Sequence, residues 1–295
     1  MKECDYIMLS IEEKKYWIWI SRLPRVGSKT IRKLLDKYDI LENIYKLSKE
    51  ELVANGISQK LADILTNLKY KQNLDKYLDY MEKNKIELIT IKDKKYPTKL
   101  KCIDDYPMYL FARGNFKLLN KKSLAVVGTR NCTNYGKKIA KQMGTSLVQN
   151  DIVVVSGLAK GIDTYAHIGA LKREESTIAV LGCAIDKVYP KENEELANEI
   201  IQKNGLIISE YVMGSELERL NFPARNRIVS GISDGVLVIE APEKSGALIT
   251  VDFALEQGKD VFAIPGNINS IFSKGTNKLI KDGAKLVDNI EDILL

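Results

Sequence analysis

Histidine is almost missing. His167 is the single one among 295 residues, so a histidine-ligated metal centre and a two-imidazole acid–base site are both excluded. Cys4, Cys102, Cys132 and Cys183 stand far apart, with no pair at metal-ligand spacing. That pattern reads as reduced thiols in a cytoplasmic protein, not as a disulfide framework. No apolar run approaches the roughly 20 residues of a membrane helix. The start of the chain, charged from Lys2 and Glu3, lacks the pattern of an export signal. A strong charge of one sign is missing too: Lys+Arg 45 against Asp+Glu 39 leaves +6, which permits a polyanionic partner without demanding one. No G-x-G-x-x-G follows the first strand-like run, which argues against a dinucleotide-dependent oxidoreductase. Neither metal nor cofactor is expected.

What is present suits a globular α/β protein. An apolar fraction of 45% over this length gives room for one large domain and one small one. The chain divides near residue 75. In 1–74 short helices are expected at Ile11 to Ile20, Lys29 to Tyr38 and Gln59 to Lys69. The turns Leu23-Pro24-Arg25-Val26-Gly27-Ser28 and Gly56-Ile57-Ser58 lead into two of them, resembling helix-hairpin-helix units of a small all-α, SAM-like domain. That module offers backbone N–H groups to DNA phosphates, although such domains also serve protein contacts. Asp75 to Asn84 reads as a connecting helix. In 75–295, Ile86 to Ile91 and Met108 to Phe111 read as strands whose turns are marked by Pro97 and Pro107. Further strands are expected at Leu124 to Val127, Ile152 to Val155, Thr177 to Leu181, Leu206 to Ser209, Gly235 to Ile239 and Val261 to Ile264. Helices fall between them, with Gly205 and Gly258 as C-caps. Continuous apolar strands alternating with helices give a doubly wound, mainly parallel, extended Rossmann-like sheet.

In such sheets ligands sit outside the carboxyl ends of the strands. Three loops belong on that rim: Gly128-Thr129-Arg130, Ser156 to Asp163, and Phe222-Pro223-Ala224-Arg225-Asn226-Arg227. The last puts an aromatic, two guanidiniums and an amide at a helix start, with Pro223 suited to the first helical position.

The ordered series Gly128-Thr129-Arg130, Ser156 to Asp163 with Ala166-His167, Tyr189-Pro190, Ser209-Glu210, Phe222 to Arg227, Ser245-Gly246 and Pro265-Gly266 resembles the DprA/Smf family of DNA-processing proteins. It covers about Ile86 to Ala284. The resemblance implies a protein that binds single-stranded DNA without sequence preference, protects incoming DNA and delivers it to the RecA recombinase during natural transformation. It implies no catalytic turnover. It also implies a homodimer through the carboxy-terminal part of the body, where Leu279, Ile280 and Leu286 serve equally well as core. Relatives often continue into a winged-helix domain, which is not in this sequence.

The residues fit that role. Arg130 is placed to fork onto a phosphate, unless it pairs with Asp163 or Glu210. Ser156, Gly157 and Gly161 are expected to bring donors close to a phosphate, while Asp163 caps a helix or orients an arginine. Phe222 is a base-stacking candidate or a core residue. Family members carry a basic residue shortly before that aromatic, which assigns Arg219 to phosphate. Arg225 and Arg227, two apart on a helix, face different sides; Arg225 is assigned to DNA and Arg227 to support. Asn226, Ser245 and Gly246 complete the set, and Lys160 and Lys187 add charge or remain solvated. His167 reads as packed rather than catalytic. The rival class is a nucleotide-binding Rossmann protein or a lysine-decarboxylase-like phosphoribohydrolase. It would need a glycine-dense loop with a nearby glutamate where Ser245-Gly246-Ala247-Leu248-Ile249-Thr250 stands.

Overall fold

The computed structural model describes residues 9–294, so Cys4 and Leu295 lie outside it. The apolar runs form nine strands: β1 (Ile86–Thr90), β2 (Tyr109–Gly114), β3 (Ser123–Val127), β4 (Val153–Ser156), β5 (Thr177–Leu181), β6 (Leu206–Ser209), β7 (Gly235–Val238), β8 (Asp260–Ala263) and β9 (Lys285–Leu286). They make one sheet in the order β1-β2-β6-β5-β4-β3-β7-β8-β9. From β6 to β9 all neighbours are parallel, while β2 runs antiparallel to β6 and β1 antiparallel to β2. The stretch β5-β4-β3-β7-β8-β9 is the doubly wound order with β3 first and β7 fourth. The chain steps outward from β3 through β4 and β5 to β6, then returns to the other side of β3. The crevice between β3 and β7 is therefore the topological switch point.

Strand residues alternate between two cores. Leu124 and Val126 pack with Ala140, Met143 and Leu147 of helix Asn134–Gln149 and with Ile162 and Ala166 of helix Ile162–Ala170. Ala125 and Val127 pack on the opposite face with Ile228 and Val229 of helix Asn221–Gly231 and Val251 of helix Gly246–Glu256. Each fully buried Val, Leu or Ile contributes about 1.5–3 kcal/mol, so these two layers fix the strand ends from which the rim loops emerge.

The head is a set of short helices, the longest being Ile11–Ser21 and Ser28–Tyr38. Its core is continuous with the body: the rings of Trp17 and Tyr109 lie 6.0 Å apart, and Ser28 Oγ donates to Glu210 Oε1 at 2.8 Å. Helix Leu74–Lys83, where the chain was divided, packs on Ile11–Ser21 before entering β1. Three local expectations shift. The left-handed residue after helix Glu194–Gln202 is Asn204 (φ 57), not Gly205, whereas Gly258 (φ 65) does take that conformation. Pro223 is the third residue of its helix, not the first, because Asn221 already has helical backbone. Leu286 lies in β9, which was not foreseen.

Candidate nucleic-acid interface

At the switch point lies a cleft of about 400 Å³ lined by Gly128, Thr129, Arg130, Gly157, Phe222, Arg225, Asn226, Ser245 and Gly246, joined by Asp163 and Lys244. Sequence-distant loops meet there because β3, β4 and β7 end side by side. Their packing needs glycine. Gly161 has φ +80, and a Cβ on it would lie 2.5 Å from the Arg130 carbonyl, so only glycine lets the β4 loop close on the β3 loop. Thr129, buried, donates its N–H to the Glu240 carbonyl at 2.7 Å and accepts from Ile162 N–H at 3.2 Å.

Two helices begin at the cleft, Asn221–Gly231 and Gly246–Glu256, and the positive ends of their dipoles bias it toward anions. Ser245 caps the second by accepting from Ala247 N–H at 3.3 Å. The N–H groups of Arg130 and Gly246 donate to no described residue. Arg130 is exposed, has no acidic partner among the described residues, and sets its guanidinium 5.8 Å from the Phe222 ring centroid. It forms no salt bridge to Asp163 or Glu210. Lys244 and Arg219 are likewise exposed and unpaired among the described residues.

Several residues are placed otherwise than their types suggested. Ser156 is fully buried and its hydroxyl donates to the Val126 carbonyl at 2.7 Å, so it offers no donor to the cleft. The Gly157 and Ala159 N–H groups donate to Asp163 Oδ2 at 3.1 and 3.3 Å, so the β4 loop closes on its own carboxylate. Burial pushes the Asp163 carboxyl above its ordinary pKa, while nearby Arg225 and those N–H groups oppose the shift. Arg225 is only 5% exposed: its Nη1 donates to the carbonyls of Gly157, at 2.7 Å, and Val180. It floors the cleft and ties β4 to β5, a structural placement where a phosphate contact was expected. Arg227 is also buried; its Nη2 forks onto both Glu210 oxygens at 2.8 Å and its Nε donates to the Asp105 carbonyl at 2.8 Å. Asn226 accepts from Arg225 Nε at 3.2 Å.

Lys160 pairs on the surface with Glu192 at 2.6 Å, and Lys187 donates to the Ser215 carbonyl at 3.1 Å. His167 is fully buried with Nδ1 2.7 Å from Thr177 Oγ1, and burial pulls its pKa down to about 3. Its ring is packed in the interior. Phe222 is half-buried and rests against Tyr189, the ring centroids 5.3 Å apart. Tyr189, marked in the sequence only as part of the Tyr189-Pro190 motif and given no role there, packs on Phe222 beside the cleft, and Lys244, which no motif marks, lines it because β7 returns to β3. Glu240 is buried and spent on Thr133, whose N–H and hydroxyl it accepts at 2.9 and 2.6 Å, so it is no free general base. Among the described residues no three His, Cys, Asp or Glu side chains converge as a metal site requires, and no helix is long and apolar enough to cross a membrane.

Comparison with known proteins agrees with this architecture. Residues 87–295 match the family model described as DNA recombination-mediator protein A. DNA processing protein DprA of Streptococcus pneumoniae is 46% identical over 213 residues, 72% of this chain and 75% of that protein. Protein Smf of Synechocystis is 36% identical over 280 residues, 93% of this chain and 70% of that one. The X-ray structure of DprA from Streptococcus pneumoniae aligns with a TM-score of 0.75 at 36% identity, covering 97% of this chain and 98% of its own. A structure of DprA from Helicobacter pylori, described for that protein's single-stranded DNA binding mode, aligns at 0.64 with 33% identity, covering 71% of this chain and 94% of its own. With a family model over most of its length and relatives this similar, the chain belongs to the DprA/Smf family of DNA-processing proteins.

Proposed function

We propose that this protein binds single-stranded DNA along the switch-point rim, with little regard for sequence, and passes it to a RecA-type recombinase without catalytic turnover. The observation that carries the reading is Arg130: an exposed guanidinium without an acidic partner among the described residues, set against an aromatic ring in a cleft where two helices begin. A guanidinium forks onto phosphate, and an aromatic face accepts any base. Lys244, which lines the cleft, adds positive charge there, Arg219 is assigned to phosphate from the family's basic position before the aromatic, and the binding mode described for the Helicobacter pylori relative supports the ligand class. Arg225, Arg227 and Asp163 hold the rim in shape. The Nε and Nη1 of Arg225 and the guanidinium of Arg227 are spent inside the protein, so the main phosphate work falls to the exposed cations and to the Arg130 and Gly246 N–H groups.

A homodimer would set two rims side by side and raise avidity for strands long enough to reach both. The edge strand β9, exposed at Lys285 and Leu286, supports a carboxy-terminal contact. Displacement of labelled oligo-dT by unlabelled single strands, duplex and nucleoside monophosphates tests the ligand. Single strands should compete best; displacement by a monophosphate with release of free base would overturn the reading in favour of a phosphoribohydrolase. RecA filament growth on single strands, with and without the protein, tests the handover, and light scattering after size exclusion tests the dimer.

A further inference from the structure

Beside the cleft, Tyr189 exposes more of its ring than Phe222 does. Tyr189 is 47% exposed. Phe222 is hemmed in: Gly182 backs it so closely that a Cβ there would lie 2.7 Å from Phe222 Cδ1, and Arg130 covers it at 5.8 Å. Tyr189 leans on the Phe222 ring at an interplanar angle of 47°. Its hydroxyl makes no hydrogen bond to a described residue, in contrast to Tyr96, whose hydroxyl donates to the Pro107 carbonyl. Neither core packing nor an internal hydrogen bond accounts for a tyrosine there.

The loop that carries it is tied down. The Cys183 carbonyl accepts from Ser209 Oγ at 2.6 Å, and Ile185 N–H donates to the Tyr211 carbonyl at 3.1 Å. Lys187 N–H donates to the Ala184 carbonyl at 2.9 Å, and the Pro190 carbonyl accepts from Asn193 N–H at 3.0 Å. A ring held on a rigid loop loses little conformational freedom when a ligand stacks on it.

We propose that Tyr189 is a second base-stacking platform, so that neighbouring bases of one strand stack on Tyr189 and on the Phe222–Arg130 pair. The inference rests on the single-strand reading above. Stacking is blind to base identity, so the platform adds affinity without sequence preference.

The test has two arms. In the first, oligo-dT carrying 2-aminopurine is titrated with wild type, Tyr189→Ala, Tyr189→Phe and Phe222→Ala, following anisotropy and fluorescence. Tyr189→Ala should weaken binding about 5- to 150-fold at an unchanged salt slope and lose part of the 2-aminopurine quenching, while Tyr189→Phe stays within about twofold of wild type. In the second arm, wild-type protein is irradiated with a 5-iodouracil oligonucleotide and the adduct located by peptide mass; a cross-link on Tyr189 is expected, and this arm needs no variant to fold. Wild-type affinity and quenching in Tyr189→Ala, or adducts only elsewhere, would overturn the inference and leave the single-strand reading standing. Absence of binding by wild type would instead overturn that reading.

Discussion

Replacing Arg225 by methionine separates a structural arginine from a ligand-binding one. The side chain is 5% exposed, and its Nη1 donates to the carbonyls of Gly157 and Val180. Methionine keeps most of the volume but orphans both buried acceptors, at about 1–3 kcal/mol each. It also leaves Asp163 buried without its nearby cation, a change of the kind that destabilises by about 3–5 kcal/mol. Because Asp163 escapes part of that penalty by taking up a proton, the two costs together should come to about 4–8 kcal/mol, or roughly 10 °C in melting midpoint for a chain of this size. The sign with pH follows from Asp163. Burial raises its folded pKa, so the folded state binds the proton before the unfolded state does. The deficit of Arg225→Met should therefore shrink as pH falls from 7 toward 4. Thermal melts followed by circular dichroism at several pH values, with Arg130→Ala as the surface control expected within about 0.5 kcal/mol of wild type, decide the matter. An Arg225→Met protein that melts within about 2 °C of wild type yet no longer binds oligo-dT would refute the structural assignment and make Arg225 a phosphate ligand.

Other outcomes follow from the same contacts. A Cβ on Gly157 would lie 2.6 Å from Arg225 Cζ, and that guanidinium is pinned; Gly157→Ala should destabilise by about 1–3 kcal/mol in urea melts, whereas Gly246→Ala, with nothing within 4 Å, should be neutral or slightly stabilising. His167 has a folded pKa of about 3 against an ordinary 6.5, so the unfolded chain takes up its proton first and stability falls as pH drops below 6.5. Between pH 7 and 5 that loss is about 2 kcal/mol, and comparison of urea midpoints for wild type and His167→Asn should show it missing in the variant. Lys244→Ala and Arg219→Ala should each lower the salt slope of oligo-dT binding by about 0.7 while leaving the melting midpoint in place.

The sheet was legible because its strands are continuous β-branched runs such as Val153-Val154-Val155, and alternation with helix-length segments leaves few other solutions. The rim was legible for the same reason: strand ends in a doubly wound sheet point one way, which brought Gly128, Arg130 and Phe222 together without knowledge of a single contact. What each rim residue does there was less accessible. Helical spacing separates Arg225 from Arg227 but does not say which side faces water, and both face inward because their acceptors come from 157, 180, 105 and 210, far away in the chain. Ser156 and Gly157 look like phosphate donors by residue type, yet Val126 and Asp163 already accept their hydrogens. Strand β9 is two residues long and leaves no periodic trace. Tyr189 gains its exposed position from a loop fixed by Ser209 and Tyr211, partners that local sequence does not reveal.

The most direct test of the central claim is fluorescence anisotropy of labelled oligo-dT across a salt series with wild type and Arg130→Ala, using duplex DNA as competitor. The account predicts that log K falls with log salt by roughly 0.7 per phosphate neutralised, that single strands outcompete duplex, and that Arg130→Ala binds more weakly with a shallower slope. Binding that Arg130→Ala leaves unchanged in both strength and slope, or a preference for duplex, would contradict it.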